Sequence, residues 1–407
     1  MKNKIFINGP VNVIRLEGEI DGIKKVLYVF MDFHEDVTTQ TRCDDIKSKD
    51  VNTYLVENFD KINEGNKIYD FFYETRPTWI LREKGPYKEN YIEELDHLFN
   101  KSFIINKDKN VVGKSNNFPN VRLHYADIRD YLIQNYELTL NLDHEIDNIM
   151  NRGYFDYQDS MLITDSLNII LANIMNVYNI IYNSSSGKKK VKPSIPKSYE
   201  TLEKYTPLDY INKIKNFVDK IRNRYNHKDV KTKINHIMDN ELNRIFIKYL
   251  DNIDDYFTFL DKNKNTYNNP RKLSNKRNYG THYGPLQFNQ LQTLTKLSLL
   301  NYKHLHTETH LFAFITDMFF LRRFLEKDYV TNGISYTGAA HSNNYIYCLV
   351  KYFNFKITHY SYLKGNSIKK ITNIIKRSDN SRDLDQYFWP PYFQQCSDMT
   401  DFPKLFE

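Results

Sequence analysis

Five short segments place ionisable side chains where apolar runs end. They are Met31-Asp32-Phe33-His34, Tyr73-Glu74-Thr75-Arg76-Pro77, Arg122-Leu123-His124-Tyr125-Ala126-Asp127-Ile128-Arg129, the stretch around Asp317 and Arg322, and Gly338-Ala339-Ala340-His341. An imidazole beside a carboxylate either helps to hold a divalent metal or forms a general base with its orienting partner. Asp32 and His34 stand two apart, so on an extended strand both point to one face. Glu74 closes the run Phe71-Phe72-Tyr73, and a carboxylate at the end of a buried strand needs a partner or a metal. His124 ends a third apolar run, with Asp127 close behind it, and Arg129 suits two-pronged binding of an anionic group. In the last segment, small residues allow a tight turn and close approach of a ligand. His341 is expected at that turn, with Ser342, Asn343 and Asn344 as helix N-caps whose free N–H groups would hold an oxyanion.

Each segment also has a plain structural reading. Asp32 can cap a strand end beside a satisfied histidine, and Glu74 can pair with Arg76 at the surface. The Asp127-Ile128-Arg129-Asp130 stretch can be a solvated helix start, and His341 an exposed residue of an ordinary turn. Other motifs are weaker. His306 and His310 are four apart, but HExxH needs Glu directly after the first histidine and Glu308 is two along. Gly333-Ile334-Ser335-Tyr336-Thr337-Gly338 is not GxSxG, and no P-loop or dinucleotide fingerprint is present.

The elements that position these residues follow from periodicity. Val11 to Gly18 alternates, Asp21-Gly22 supplies a hairpin turn, and Val26 to Met31 lacks alternation, as in a strand covered on both faces. A helix is predicted over 50–64 with Asp50 as N-cap, a strand over 68–73, a helix over 89–101 and a strand over 121–124. From about 128 to 327 the pattern turns helical, with Leu162, Leu167, Ile170, Leu171, Ile174, Val177, Tyr178 and Ile181 on the helical period. A strand at 333–338, a helix at 343–353 and a strand at 355–360 follow. Acids and histidines at the carboxyl ends of parallel strands converge on one crevice. The expected fold is therefore α/β, a Rossmann-like mostly parallel sheet with a large helical insertion. The expected division is 1–130 and 328–407 for the two halves of the core and 131–327 for the insertion.

The 407 residues, 41% hydrophobic and 15% aromatic, suffice for a sizeable core. The net charge of +7, from 57 basic against 50 acidic residues, is too small a surplus to indicate nucleic-acid binding by itself. Basic loops at 183–198 and 263–283 are the places where nucleic acid would be held. Cys43, Cys348 and Cys396 lie far apart without a CxxC pair, and are read as reduced thiols of a cytosolic compartment. No secretory signal is expected, nor a membrane span, because Asp165, Asn168, Asn173, Asn176 and Asn179 interrupt the longest apolar stretch.

Together the segments resemble the erythromycin-esterase/ChaN/TIKI (TraB) superfamily, particularly its divergent copies in giant DNA viruses. The resemblance covers the two terminal thirds of the chain. Tyr336-Thr337-Gly338-Ala339-Ala340-His341 looks like the family's second GxxH. Met31-Asp32-Phe33-His34 takes the place of the first, with Met31 where the family has glycine. Glu74 matches the acidic strand end, and Asp317 with Arg322 falls where a helix lines the family site. The resemblance implies a hydrolase, an esterase or a metallopeptidase-like enzyme, with a divalent metal (Mn, Zn or Co) in its metal-dependent branch. Asp32, His34, Glu74 and His341 would hold the metal. His34, Glu74, His124, Asp127 and His341 would be catalytic, and Arg129, Asp317 and Arg322 would bind a small-molecule or peptide substrate. The competing expectation is a non-catalytic viral protein of the host cytoplasm or the virion, serving as a virion component or as a module for host-protein or nucleic-acid interaction.

Overall fold

A computed structural model describes residues 4–34, 43–75, 90–106, 111–128, 133–183, 208–267, 285–391 and 394–407. The chain forms two compact units. One, an α/β unit, comprises 1–128, 225–236 and 314–407; the other, helical, comprises 129–224 and 237–313.

The strands are β1 (Phe6–Asn8), β2 (Asn12–Ile20), β3 (Ile23–Asp32), β4 (Lys49–Asp50), β5 (Tyr69–Tyr73), β6 (Phe103–Asn106), β7 (Val111–Ser115), β8 (Val121–Tyr125), β9 (Asn332–Gly338), β10 (Lys356–Tyr360) and β11 (Cys396–Asp398). Six of them make one sheet in the order β10-β2-β3-β9-β5-β8. β3, β9, β5 and β8 run parallel, while β2 and β10 continue the sheet antiparallel. Asp21 and Gly22 both have positive φ, 48° and 83°, as a two-residue hairpin turn between β2 and β3 requires.

β9 is buried along its whole length and lies between β3 and β5. Its register pairs Asp32 with Gly338 and Tyr73 with Tyr336, so three neighbouring parallel strands end at one level. One face of the sheet packs Tyr28, Phe30, Phe71, Tyr73 and Tyr336 against Val51, Leu55 and Phe59 of the helix Val51–Ile62, and Leu95 and Phe99 of the helix Tyr91–Ser102. On the other face Phe72 meets Phe320 and Phe324 edge-on. Both sides of the central strands are thus covered, which explains their unbroken apolar runs.

The helical unit contains the helices Ile133–Arg152, Tyr157–Asn183, Leu208–Asn223 and Asn243–Tyr267. The helix Pro285–Glu326 contributes its residues up to 313 here and those from 314 to the α/β unit. Tyr157–Tyr182 is long and apolar enough to cross a membrane by length and composition, yet 56% of that apolar window is buried. Ile163, Leu167, Ile170, Ile174 and Ile181 are its buried stripe, the packing of a core helix.

Two expectations need correction. Residues 225–236 and 314–327 belong with the α/β unit, not with the helical insertion. The reading of three reduced thiols fails, because Cys43 and Cys396 form a disulfide across 353 residues of sequence, leaving Cys348 as a buried thiol. The cause is topological. β1 pairs with both β11 and β4, setting Asn8 opposite Cys396 and Asp50, and the Asn8 side chain accepts a 2.9 Å hydrogen bond from the Cys43 N–H. The compartment inferred from free thiols loses its basis with them.

Candidate active site

Asp32, the last residue of β3, is buried and accepts at Oδ1 a 2.8 Å hydrogen bond from Gln395 Nε2. Its Oδ2 takes a 3.0 Å bond from His34 Nδ1. His34 adopts a left-handed backbone, φ 59°, a conformation that non-glycine residues enter at a cost. Its Nε2 lies 3.5 Å from Glu74 Oε2. Glu74, the residue after β5, is buried, and its Oε2 also accepts from the Gly338 N–H at 2.5 Å. A Cβ on Gly338 would stand 2.9 Å from His34 Nε2 and 3.2 Å from Glu74 Oε2, so glycine is what the close approach of these groups permits.

The other half of the site mirrors the first. His341 Nε2 lies 3.3 Å from Glu74 Oε1, and its Nδ1 bonds Asp317 Oδ1 at 2.6 Å. Asn344 donates to the second Asp317 oxygen, and Ser381 in turn donates to Asn344. The helix that carries His341 starts at Ala339, with Gly338 as N-cap, and runs to Tyr352. The expected helix start at 343 is therefore corrected: His341 sits in the first turn, not in a loop before it. Ser342, Asn343 and Asn344 lie inside the helix and are not N-caps. That phase puts Asn344 one turn beyond His341 on the same face, where both reach Asp317.

The result is a continuous chain, Asp32–His34–Glu74–His341–Asp317. Each ring faces a carboxylate through both nitrogens, and carboxylates only accept. Both imidazoles therefore donate from both nitrogens in this arrangement, and the Glu74 carboxylate sits between the two rings. Burial alone would lower the His34 pKa, but hydrogen bonds to Asp32 and Glu74 override it and push the ring up to about 10. His341 also stands well above its ordinary value: burial opposes this, and the charges of Glu74 and Asp317 outweigh burial. Burial would raise the Glu74 carboxyl, but His341 and His34 hold it well below the usual range. The His34 side chain is 37% exposed, against 11% for His341 and 6% for Glu74. His34 is the most solvent-exposed of the three.

The other expected residues are placed elsewhere or in other roles. His124 donates from Nε2 to Asp70 at 2.7 Å, receives Arg323 at Nδ1 and stacks on Phe72. Arg122 grips the same Asp70 through two bonds of 2.8 and 2.6 Å. These bonds tie His124 into a second ion cluster. Asp127 is buried close enough for its charge, like those of Asp317 and Glu74, to act on the Tyr345 hydroxyl. The Arg322 guanidinium lies 5.7 Å over the Tyr225 ring. Asp317 orients His341, a role different from the substrate contact expected of it. Arg129 and most of both basic loops lie outside the described residues. Ser381 and Gln395 are not among the expected residues, and Asn344 is expected as a helix N-cap, not as the partner of Asp317 that it is. Asn344 becomes legible once the helix is started at Ala339, whereas Gln395 has no local signal.

The metal expected at Asp32, His34, Glu74 and His341 would need donor atoms of these side chains to converge on one point. Two imidazole Nε2 atoms and a carboxylate suit zinc or manganese chemically. The rings, however, approach different oxygens of Glu74 and carry protons there, and Asp32 is turned to Nδ1 and Gln395. Among the described residues no three His, Cys, Asp or Glu side chains are grouped to hold an ion. The arrangement as it stands does not fit a metal.

The family of unknown function DUF5847 matches residues 5–407. An uncharacterized protein of Acanthamoeba polyphaga mimivirus is 38% identical over 100% of this chain and 98% of its own length. A second from the same virus is 36% identical over 100% and 99%, and a third is 33% identical over 100% and 98%. No solved structure matches. The chain belongs to the DUF5847 family, whose curated relatives here are proteins of a giant virus.

Proposed function

We propose that this DUF5847 member is a hydrolase resembling the erythromycin-esterase/ChaN/TIKI type, built on a Rossmann-like sheet and working by acid–base chemistry. The observation that carries the reading is one buried carboxylate, Glu74, holding a histidine Nε2 at each of its two oxygens, with each histidine oriented at Nδ1 by its own aspartate. An aspartate at Nδ1 fixes the ring so that Nε2 is the working nitrogen. His34, the exposed ring with the looser contact to Glu74, donates its Nε2 proton to the leaving oxygen or nitrogen, whose bond to the acyl carbon breaks as water adds there. The neutral ring then takes a proton from the attacking water, and Glu74 carries the exchange of charge between His34 and His341. One water is consumed, and an acid and an alcohol or amine are released.

A panel of aryl, lactone and peptide substrates tests this. Turnover is expected in the wild type, falling at least about a hundredfold in His34→Gln and in His341→Gln, the scale of lost general acid–base catalysis. Turnover in both variants equal to the wild type would refute it. Metal analysis of the purified protein, with and without chelator, decides whether a metal-assisted form of the reaction operates.

The burial of the cluster favours a second reading, a non-catalytic virion component or host-interaction module, since His34 alone among the five is substantially exposed. That reading expects both variants to keep partner binding in infected cells while no substrate is turned over.

A further inference from the structure

The disulfide and the candidate active site meet at Gln395. This side chain is 1% exposed and donates to Asp32 Oδ1 at 2.8 Å. Asp32 uses its other oxygen to hold the His34 ring. The next residue, Cys396, is cross-linked to Cys43. Besides the cross-link, the segment is held by backbone and side-chain bonds on the Cys396 side, among them Asp398 N–H to Ser361 Oγ at 2.7 Å and Met399 N–H to Ile5 O at 2.8 Å. β11 is three residues long and pairs only with β1, Gln395 O accepts from Gly9 N–H at 3.1 Å, and Ser397 Oγ donates to Pro10 O at 2.8 Å. Cys43 and Cys396 are both partly exposed. Asp317, in contrast, accepts from Asn344, which in turn accepts from Ser381.

We propose that Gln395 is a positioning residue for His34 and that the Cys43–Cys396 disulfide controls it, making half of the site redox-sensitive. Closed, the disulfide seats Gln395 against Asp32 and fixes the His34 ring. A dithiol reductant attacks one sulfur through its thiolate, forms a mixed disulfide, and leaves as a cyclic disulfide. Its two electrons and two protons produce the Cys43 and Cys396 thiols. The freed segment then lets Gln395 withdraw, and Asp32 no longer holds His34 Nδ1 in one orientation. His341 keeps its place. The regulatory consequence rests on the acid–base reading above; the positional effect does not.

The test uses the full-length protein labelled with 15N-histidine, in a Cys348→Ser background, followed by proton–nitrogen spectra of the ring N–H groups. In the oxidised protein, slowly exchanging Nδ1–H signals of both His34 and His341 are expected, assigned by their loss in His34→Gln and His341→Gln. On reduction with dithiothreitol, and in Cys43→Ser/Cys396→Ser, the His34 signal should vanish while that of His341 stays. Gln395→Ala should remove the same signal with the disulfide intact, and Gln395→Asn, which keeps the amide, should restore part of it. If substrates are found, turnover should fall about tenfold in the reduced protein, the scale of one lost hydrogen bond to a charged group. A His34 signal unchanged by reduction, or one that survives in Gln395→Ala, overturns the proposal. If reduction erases both signals by unfolding, Gln395→Ala alone decides. Signals that behave as expected without any hydrolysis would sink the hydrolase reading and leave this one standing.

Discussion

Replacing Glu74 by glutamine keeps the shape of the site and removes its central charge. The carboxylate now accepts from the Gly338 N–H and faces Nε2 atoms at 3.3 and 3.5 Å. A carboxamide accepts at one oxygen only, so its NH2 group must face one of the imidazolium N–H groups, donor against donor. Removing one partner of a buried ion pair costs about 3–5 kcal/mol. One ring escapes by giving up its Nε2 proton and accepting from the amide, and the partial exposure of His34 screens part of the loss. The expected cost is therefore near the lower end, about 3 kcal/mol. Trp389, which lies edge-on to Phe33 at 5.1 Å, reports on the site by fluorescence in a Trp79→Phe background. In urea titrations at pH 7 the midpoint of Glu74→Gln should fall by about 1 M or more. A midpoint within about 0.2 M of the parent, or above it, would refute the claim that the two rings are held as imidazolium by this carboxylate.

Gly338→Ala is expected to cost about 1–3 kcal/mol as overpacking and to abolish turnover while far-ultraviolet circular dichroism is unchanged, because the added Cβ stands 2.9 Å from His34 Nε2. In the helical unit, burial pushes the Glu308 carboxyl up to about 8, against hydrogen bonds from Thr139 and Tyr249. Its folded pKa lies above the unfolded one, so the folded state holds the extra proton between them. Stability should then fall as pH rises from about 4.5 through about 8, by about 3 kcal/mol at pH 7. Glu308→Gln should flatten that slope in denaturant titrations followed by circular dichroism from pH 5 to 8, and an unchanged slope would count against a neutral buried acid.

Most of what positions the site was readable because it is local. The hairpin at Asp21-Gly22, the strand ending at Asp32, the strand before Glu74 and the strand before Gly338 each carry their signal within about ten residues. What was not readable is pairing at long range. That β9 inserts between β3 and β5 follows from burial of all its residues on both faces, which periodicity does not order. Cys43 and Cys396 look like isolated thiols until β1 and β11 pair. His124 and Asp32 look alike in sequence, each near the end of an apolar run, yet Asp70 on the neighbouring strand claims His124, together with Arg122 of its own strand. The helix start was misplaced because Gly338-Ala339-Ala340 reads as a flexible turn, while Gly338 is an N-cap and the alanines, strong helix formers, already belong to the first turn.

The two ion clusters on this sheet argue about function by their contrast. Asp70, Arg122 and His124 satisfy one another on regular strand backbone, with a guanidinium fork matched to a carboxylate, as a structural ion pair is expected to be. The chain from Asp32 to Asp317 satisfies its charges no better and requires more. It needs a histidine in the left-handed region, a glycine that no other residue can replace without contact, and a carboxylate buried between two imidazoles. An ion network that served only stability would gain nothing from these costs, since the cheaper arrangement lies on a strand of the same sheet. Strain and unpaired choices of this kind collect where a geometry is needed for chemistry. His34, the more exposed of the two rings, is also the strained one, and it is there that a reacting molecule would arrive.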